Sequence, residues 1–465
     1  MLERLVILGG TSDVVGRLVV PALVDLEADG ALPEAFRIVA VARHEEDDDS
    51  YRQHLRDELA ELAPEVDADA LEALLTRTRY HEADTTEADA LAGAFDGAAA
   101  AVYLALPPAV FSPTLEALEE VVLPEGSRVV IEKPFGEDLE HARELNRELH
   151  GLLPEDAVHR MDHFLGLQMV QNLLALRFAN RLFEPLWHAD HVAGVDIVWD
   201  ESLTLEGRAG FYDGTGALKD MLQNHLLQVL ALVAMDMPAS LDPPAFRDAK
   251  VDLLRQVRCM DVEEVAEHSR RARYTAGQID GQDVPAYVDE DGVDPELETE
   301  TYAEVVLAID SDRWAGVPFR LRTGKALGRD RQEVVVRLRA PDRSPFGDAE
   351  LAPNEVRIAL EPERIGLRFN VRASGDAFDL DGVEVSRDLM AADVAAYGRV
   401  LRDVLEGDPT LSIRGDEAEL AWEIMAPVLE AFDRDLVPME RYPAGSDGPA
   451  DEGSAEERSA DEGSA

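Results

Sequence analysis

The chain has 465 residues, 46% of them hydrophobic, so it is long enough to bury two cores and we expect two domains. It carries 44 Lys and Arg against 96 Asp and Glu, a formal net charge of −52, which excludes nucleic acid as a partner. Such self-repulsion favours a salt-rich cytoplasm, because the Debye length falls to about 3 Å at 1 M salt. The single cysteine, Cys259, cannot form an internal disulfide, and we predict no metal site.

The apolar segments are too short for a membrane protein. None approaches the roughly 20 residues that cross a bilayer, and no charged-then-apolar signal precedes the first apolar run. We therefore expect a cytoplasmic protein that does not bind membranes. Only four of its basic residues are lysines, so their positions are informative: Lys133, Lys219, Lys250 and Lys325.

The first third of the chain alternates strand-like and helix-like patterns. An apolar run at 4–10 ends in glycines, a helical pattern follows from Val14 to Leu26, and a second apolar run lies at 36–43. Later segments continue the alternation, with strands at 100–106 and 128–134 and helices at 71–76 and 115–121. This α/β pattern predicts a doubly wound, Rossmann-like nucleotide-binding domain over residues 1–161.

The rest of the chain predicts an α+β domain over residues 162–450. Two long helices are expected at 162–180 and 217–235, the second apolar on several sides and therefore buried. Alternating patterns then predict a large antiparallel sheet. Its strands are expected at 301–309, 317–323, 333–340, 355–362 and 366–373, before two final helices at 391–405 and 418–432. Residues 451–465 repeat the hexamer ADEGSA and predict a disordered acidic tail.

The turn "GGTSD" lies between the first strand and the first helix, where free backbone N–H groups and the helix dipole suit a pyrophosphate. An ordinary tight turn is the alternative, and the motif is a weak signal because it is poorer in glycine than the usual G-x-G-x-x-G fingerprint. Arg43 ends the second strand and could pair with a 2′-phosphate, which favours NADP. The acidic run 45–49, interpreted as a solvated loop, leaves NAD possible. The cofactor-binding candidates in the turn are Gly9, Gly10, Thr11, Ser12 and Asp13.

Two of the scarce lysines follow predicted strands. Lys133 in "IEKPFG" lies at the carboxyl end of a strand of the first sheet, where cofactor and substrate are expected to meet. Lys325 in "RTGKAL" occupies a turn at a strand end of the second domain. An exposed loop residue is the alternative for Lys133.

Acid and histidine occur together on both long helices. Asp162 and His163 begin the first, and Asp220 and His225 lie on the second. Either histidine alone would be expected in the core, but two helices that each offer both groups predict a shared acid/base centre.

At these residues the sequence resembles the glucose-6-phosphate dehydrogenase family, over nearly the whole chain. The motifs that carry the resemblance are "GGTSD", "YLALPP", "EKPFG", "MDHFLG", "MVQNLLALRFAN", "LKDMLQNHLLQ", "TETY", "RWAGVPFRLRTGKAL", "APNE" and "YPAGSDGP". The resemblance implies both domains and oxidation of the C1 hydroxyl of an aldose to a lactone, with NADP as hydride acceptor. It also implies a homodimer or homotetramer.

The resemblance further implies roles for single residues. His225 would be the general base that removes the O1 proton, and Asp162 the carboxylate that orients it. Lys133 would lie between cofactor and sugar, and Arg43 would hold the 2′-phosphate. The other implied sugar ligands are Glu201, Asp220 and Lys325.

The sequence departs from the family where the 6-phosphate binds. The family motif Asp-His-Tyr-Leu-Gly-Lys provides a His, a Tyr and a Lys for the phosphate, whereas this chain has His163, Phe164 and Leu167. We expect His163 and Leu167 to share a helix face. Loss of one cation and one hydroxyl would cost a bound phosphate on the order of several kcal/mol.

Three hypotheses remain open. The first is a glucose-6-phosphate dehydrogenase whose phosphate is held by His163 and an arginine such as Arg160. The second is a C1 dehydrogenase of an aldose, such as glucose, that lacks the 6-phosphate or carries another C6 group. The third is an inactive binding or scaffold protein. Retention of Asp162, His225, Lys133 and Lys325 argues against it, since a scaffold needs none of them.

Overall fold

The computed structural model describes residues 1–205, 209–346, 351–373, 375, 380–389 and 395–450. The chain divides into two compact units. The first consists of residues 1–171, 236–252 and 392–422, and the second of residues 172–235, 253–391 and 423–465. The predicted domain boundaries stay predictions, and the predicted acidic tail at 451–465 lies outside the described residues.

The first unit contains the predicted Rossmann-like sheet. Its described strands are β1 (Arg4–Leu8), β2 (Arg37–Ala42), β3 (Thr78–Glu82), β4 (Ala101–Leu104), β5 (Arg128–Glu132) and β6 (Val158–Met161). They are all parallel, in the order β3-β2-β1-β4-β5-β6, which is the order of a doubly wound dinucleotide-binding sheet. The fold class predicted for this half is therefore confirmed.

The helices follow the apolar periodicity where it is strong. Within the described residues, the α-helices are α1 (Val20–Ala28), α2 (Asp48–Leu62), α3 (Ala68–Leu75), α4 (Ala88–Leu91), α5 (Phe111–Val121), α6 (Leu139–Leu152), α7 (Gln168–Phe178), α8 (Ala209–Tyr212), α9 (Leu227–Ala234), α10 (Pro243–Leu254), α11 (Val262–His268), α12 (Ala396–Glu406) and α13 (Gly415–Asp433). Two further helical segments, Val15–Val19 and Leu218–Leu226, are π-helical. In the part of the chain that the structure describes, no helix combines the length and apolar character of a membrane span.

The interpretation of the acidic run 45–49 as a solvated loop is wrong for its second half. Asp47 caps α2: its carboxylate accepts hydrogen bonds from the backbone N–H of Asp49 and Ser50. Asp48 and Asp49 form the first turn of that helix, where negative charge interacts favourably with the helix dipole. The acidic residues 47–49 therefore cap and begin a helix, although their charge suggested a loop.

A late segment of the chain completes the core of the first unit. Residues of α12, including Tyr397, Val400 and Leu401, are buried in the same cluster as Leu5 and Ile7 of β1. The sequence did not predict that α12 packs in the first unit, because the apolar pattern of a helix does not show which sheet the helix covers.

The second unit contains a nine-stranded sheet among its described residues. In chain order, the strands of this unit are β7 (Val192–Asp200), β8 (Ser269–Thr275), β9 (Gly277–Ile279), β10 (Gln282–Val284), β11 (Tyr302–Leu307), β12 (Phe319–Gly324), β13 (Arg331–Leu338), β14 (Glu355–Glu361), β15 (Arg364–Arg372), β16 (Leu380–Asp388) and β17 (Met439–Pro443). The sheet order is β16-β15-β14-β13-β7-β12-β11-β8-β17, and β9 and β10 form a separate hairpin. All five predicted strands are present.

The prediction that this sheet is antiparallel needs one correction. Strand β12 runs parallel to β7, and β17 runs parallel to β8, so the sheet is mixed. The partners β7 and β17 were not among the predicted strands, and parallel partners distant in the chain leave no turn signal between them.

Candidate active site

The predicted nucleotide turn has close backbone contacts that require glycine. Gly9 has φ +90°, and a Cβ there would lie 2.2 Å from the carbonyl oxygen of Ala105. A Cβ on Gly10 would lie 2.7 Å from the Cβ of Ala40. The carbonyl of Gly10 also accepts a 2.6 Å hydrogen bond from the buried hydroxyl of Tyr51. The turn is therefore fixed against its neighbours by two glycines and one tyrosine.

Ser12 provides an observation that fits a phosphate ligand at this turn. Its Oγ is buried and, within the described residues, has no hydrogen-bond partner. Thr11 and Asp13 flank it, and the π-helical segment Val15–Val19 follows. A buried hydroxyl beside a helix start, between tightly packed glycines, suits the pyrophosphate of a dinucleotide.

Arg43 follows β2 directly and is exposed. Its charge also acts on Asp84: hydrogen bonds from the backbone and hydroxyl of Thr86 lower the pKa of Asp84, and Arg43 lowers it further. Arg43 therefore lies beyond the carboxyl end of β2, the position expected of a 2′-phosphate ligand.

Lys133 is half-buried and follows β5, next to a carboxylate that sequence reasoning missed. Oε1 of Glu132 accepts hydrogen bonds from the hydroxyls of Tyr103, at 2.5 Å, and Tyr397, at 2.7 Å. The two hydroxyls also hydrogen-bond each other. Burial raises the pKa of Glu132, although both tyrosines favour its ionised form. Because Tyr397 lies far away in the sequence, no local pattern could have indicated this cluster.

Asp162 is buried and follows β6. Its carboxylate accepts a 3.0 Å hydrogen bond from the backbone N–H of Phe164, which caps a short 3₁₀ turn at His163–Gly166. Phe164 is buried, and its ring meets that of His163 edge to face. This hydrogen bond fixes the orientation of the Asp162 carboxylate just after β6.

The prediction of one long helix over 162–180 is wrong at its start. Leu167 has φ −60° and ψ 130°, so the chain is extended there and α7 begins only at Gln168. His163 and Leu167 therefore do not share an α-helical face. Gly166 in this turn packs closely against α12, since a Cβ there would lie 2.3 Å from the carbonyl oxygen of Ala396.

Arg160, suggested as a phosphate ligand, has other partners. Its side chain is fully buried and pairs with Glu155 at 3.0 Å and Asn146 at 2.7 Å. Arg247 of α10 shares the same carboxylate of Glu155 at 2.8 Å. A guanidinium committed to these partners is not available to bind a sugar phosphate.

In the second unit, the predicted helix 217–235 is continuous and buried, but its first half is the π-helical segment Leu218–Leu226. This segment carries Asp220, half-buried, and His225, buried. Because π-turns close through i→i+5 hydrogen bonds, residues five apart lie nearer the same face than they would in an α-helix. The local structure therefore favours a common role for Asp220 and His225.

Glu300, within the motif "TETY", fixes the start of this helix. Its carboxylate is buried and accepts a 2.9 Å hydrogen bond from the backbone N–H of Leu218. Gly216, with φ +72°, leaves room for it, since a Cβ there would lie 2.5 Å from Oε1 of Glu300. Burial raises the pKa of Glu300. Sequence reasoning missed this acid, although its place in a recognised motif was a signal.

Glu201 and Lys325 form an ion pair, and the sheet explains why. Glu201 follows β7 and Lys325 follows β12, two parallel strands in which Asp200 pairs with Gly324. The carboxyl ends of the two strands therefore meet at one edge. Each side chain retains partial exposure, 18% for Glu201 and 16% for Lys325, so the pair can be reached by a ligand.

The predicted site residues thus form groups within each unit. In the first unit, the nucleotide turn, Arg43, Lys133 and Asp162 all lie at or beyond the carboxyl ends of parallel strands. In the second unit, Asp220 and His225 share one helical segment, and Glu201 pairs with Lys325. The hydrogen bond expected between Asp162 and His225 joins residues of different units and stays a prediction.

Comparison with known proteins gives concordant matches along the chain. Residues 6–172 match "Glucose-6-phosphate dehydrogenase, NAD binding domain", and residues 174–462 match "Glucose-6-phosphate dehydrogenase, C-terminal domain". A glucose-6-phosphate 1-dehydrogenase 2 of Mycobacterium tuberculosis is 40% identical, covering 96% of this chain and 91% of the relative. The glucose-6-phosphate 1-dehydrogenase of Gluconobacter oxydans is 39% identical, with coverage of 96% and 94%.

A solved structure agrees with these relatives. A glucose-6-phosphate dehydrogenase in complex with glucose 6-phosphate has a TM-score of 0.88 and 30% identity, covering 97% of this chain and 96% of the other.

Proposed function

Since the chain belongs to the glucose-6-phosphate dehydrogenase family, we propose that it oxidises the C1 hydroxyl of glucose 6-phosphate to the lactone, with a nicotinamide cofactor as hydride acceptor. The observation that carries the proposal is the match to both domain models of the family and to relatives of this name over 96% of the chain. The candidate base His225 is present and buried on its π-helical segment. Retention of His225 together with Asp162, Lys133 and Lys325 speaks against an inactive scaffold.

In the proposed mechanism, His225 removes the proton from O1 of the sugar as the C1–H bond breaks. Asp162 orients the imidazole and stabilises the imidazolium as it forms. The bound nicotinamide supplies the acceptor for the hydride. Lys133 is placed at the strand end where sugar and cofactor would meet, and Asp220, Glu201 and Lys325 hold the sugar hydroxyls. The partially exposed Glu201–Lys325 pair supports this last role, because both groups can exchange a mutual contact for substrate contacts.

The cofactor we propose is NADP, bound at the turn of residues 9–13. The buried Ser12 hydroxyl and the close-packed Gly9 and Gly10 support a pyrophosphate site there. The exposed Arg43 supports the 2′-phosphate of NADP over the free hydroxyl of NAD. NAD remains a second acceptor to be assayed.

The substrate we propose carries the 6-phosphate, as the relatives' names indicate for those proteins. His163 is the candidate phosphate ligand in the segment 163–167, where Phe164 and Leu167 offer neither a hydroxyl nor a cation. The relatives do not favour the alternative, an aldose without the 6-phosphate, and the apolar Leu167 is the observation for which it is assayed.

We also propose a cytoplasmic homodimer or homotetramer that works at high salt and binds a small-molecule sugar or sugar phosphate. The net charge of −52 supports the salt requirement, because screening at molar salt removes most of the self-repulsion.

The test is a comparison of kcat/KM for glucose 6-phosphate and glucose, each with NADP and with NAD, in molar KCl. We expect the highest value with glucose 6-phosphate and NADP. A strong preference for free glucose would replace the substrate with the aldose that lacks the 6-phosphate, and no turnover of either sugar would refute the proposed oxidation.

A further inference from the structure

Lys250 has the most buried side chain of the four lysines, all of which lie in the described part of the chain. Its relative exposure is 0%, and so is that of its partner Glu417. Nζ of Lys250 lies 3.1 Å from Oε2 of Glu417. Because both charges must be desolvated, a buried pair of this kind is weak evidence for a stabilising role. The pair therefore calls for an explanation other than stability.

The surroundings of Lys250 lead to the strand that ends at Asp162. Arg247, one turn before Lys250 on α10, and Arg160 on β6 share the carboxylate of Glu155, at 2.8 and 3.0 Å. This shared carboxylate ties α10 to β6. Asp162 directly follows β6, two residues after Arg160.

Glu417 is held from the other side of the same cluster. It lies in the first turn of α13, and its Oε2 also accepts a 3.2 Å hydrogen bond from the backbone N–H of Arg414. The backbone of Ile413, just before it, bridges to Arg160 of β6. Lys250 is thus enclosed between two segments that both contact β6.

The charges that act on Lys250 include two carboxylates and one guanidinium. Burial lowers the pKa of Lys250, whereas Glu417 favours its charged form, Arg247 opposes it, and Asp162 favours it. The geometric link between Lys250 and Asp162 is the series of contacts from Arg247 on α10 through Glu155 to Arg160 of β6, the strand that Asp162 directly follows.

We propose that Lys250 is a positioning residue for the oxidation: its buried ion pair with Glu417 joins α10 to the start of α13, both of which contact β6, and so holds Asp162, which directly follows β6, in place for the role assigned to it beside His225. Glu417 acts through Lys250. This inference rests on the proposed function, since it gives Asp162 a task only if His225 is the base.

The experiment replaces the buried pair as a unit, in Lys250→Met/Glu417→Gln, so that no charge is left buried without a partner. A second neutral pair, Lys250→Gln/Glu417→Gln, serves if the first does not fold. Each is combined with Asp162→Asn, and kcat and KM are measured with glucose 6-phosphate and NADP. The pair variants should lose on the order of ten-fold to a hundred-fold in kcat, with little change in the KM for sugar.

The decisive comparison is the triple variant. If Lys250 acts through Asp162, adding the pair substitution to Asp162→Asn should cause no further loss of kcat. A triple variant whose loss equals the product of the separate losses would overturn the proposal, as would a pair variant with wild-type kcat.

One control variant tests specificity, and the wild-type activity separates the two proposals. Asp416→Asn removes a carboxylate from the same turn of α13, one that pairs with Arg414 instead, and should keep wild-type kcat. If the wild-type protein itself does not oxidise glucose 6-phosphate, the proposed function fails, whereas an active wild type with an unaffected pair variant rejects only the role of Lys250.

Discussion

Two lysine ion pairs among the described residues differ in burial. Lys250 and Glu417, in the first unit, are both 0% exposed. Lys325 and Glu201, in the second, retain 16% and 18% exposure at the ends of two parallel strands. The first pair lies within a network of buried charges. The second lies at the carboxyl ends of β7 and β12, where a ligand can reach it.

This difference teaches how one kind of pair can serve two purposes. A buried pair cannot exchange partners without leaving a desolvated charge, so it holds neighbouring groups in place. A partially exposed pair costs little to separate, because water or substrate hydroxyls replace the lost contact. We therefore expect substitutions in the first pair to affect the fold and those in the second to affect substrate binding.

The largest effect on stability is expected from Lys250→Met alone. This change leaves Glu417 buried without its cation, and breaking a buried pair in this way costs about 3–5 kcal/mol. The free energy of unfolding, measured by urea titration at constant salt, should fall by that amount. The matched variant Lys325→Met leaves a carboxylate that water can reach, so it should lower the free energy of unfolding by less than Lys250→Met does. Equal losses in both variants would remove the distinction between the pairs.

Lys325→Met should act on catalysis. Loss of a charged hydrogen bond to the sugar should reduce transition-state binding by about 1.5–3 kcal/mol, or roughly ten-fold to a hundred-fold in kcat/KM for glucose 6-phosphate. Lys325→Arg keeps the charge and should lose less. A wild-type kcat/KM in Lys325→Met would show that the exposed pair does not contact substrate.

The stability of the first unit, which contains the buried pair, should also depend on pH. His159, in β6, is fully buried, and burial lowers its pKa to about 3. Because the unfolded chain takes up the proton near pH 6.5 and the folded chain does not, acid destabilises the folded state. Between pH 7.5 and 5.5 the free energy of unfolding should fall by about 1.4 kcal/mol through this group.

The measurement for His159 is the difference between the wild type and His159→Asn in urea titrations at both pH values. The same substitution at the exposed His191 provides the control and should keep the wild-type pH dependence. If His159→Asn keeps it as well, the histidine is not held neutral in the folded chain.

The smallest effect is expected from adding a lysine at the half-buried Leu167. In Leu167→Lys, a partly exposed cation next to His163 should lower the KM for glucose 6-phosphate a few-fold, within the 0.2–1 kcal/mol typical of exposed charge pairs. The KM for glucose should stay unchanged. Leu182→Lys adds the same charge at an exposed position and should leave both values as they are. An unchanged KM for the phosphorylated sugar in Leu167→Lys would place the phosphate elsewhere.

The sequence predicted the fold where apolar runs are continuous. Strands β1, β2, β4 and β5 were predicted from such runs, and strands β11 to β15 of the second sheet were predicted from alternating apolar and polar residues. Strand β3, "TRYHE", has no apolar run, and β6 contains His159 and Arg160, whose burial depends on partners elsewhere in the chain. A polar residue buried by a distant partner carries no signal of burial in its own neighbourhood.

The candidate site was predicted by residue type but not by geometry. Asp162, His225, Lys133 and Lys325 were identified from motifs, yet the 3₁₀ turn before Leu167 and the π-helical segment 218–226 were both read as α-helix. Apolar periodicity does not distinguish these backbones. The pairing of Lys250 with Glu417 spans 167 residues, so it became visible only in the structure.

The central claim, that His225 is the base in C1 oxidation, is tested most directly by His225→Asn. Asparagine cannot accept the O1 proton, so kcat with glucose 6-phosphate and NADP should fall by roughly 10²- to 10⁴-fold, while NADPH binding, followed by its fluorescence, persists. A variant that binds NADPH and retains a substantial fraction of wild-type kcat would contradict the account.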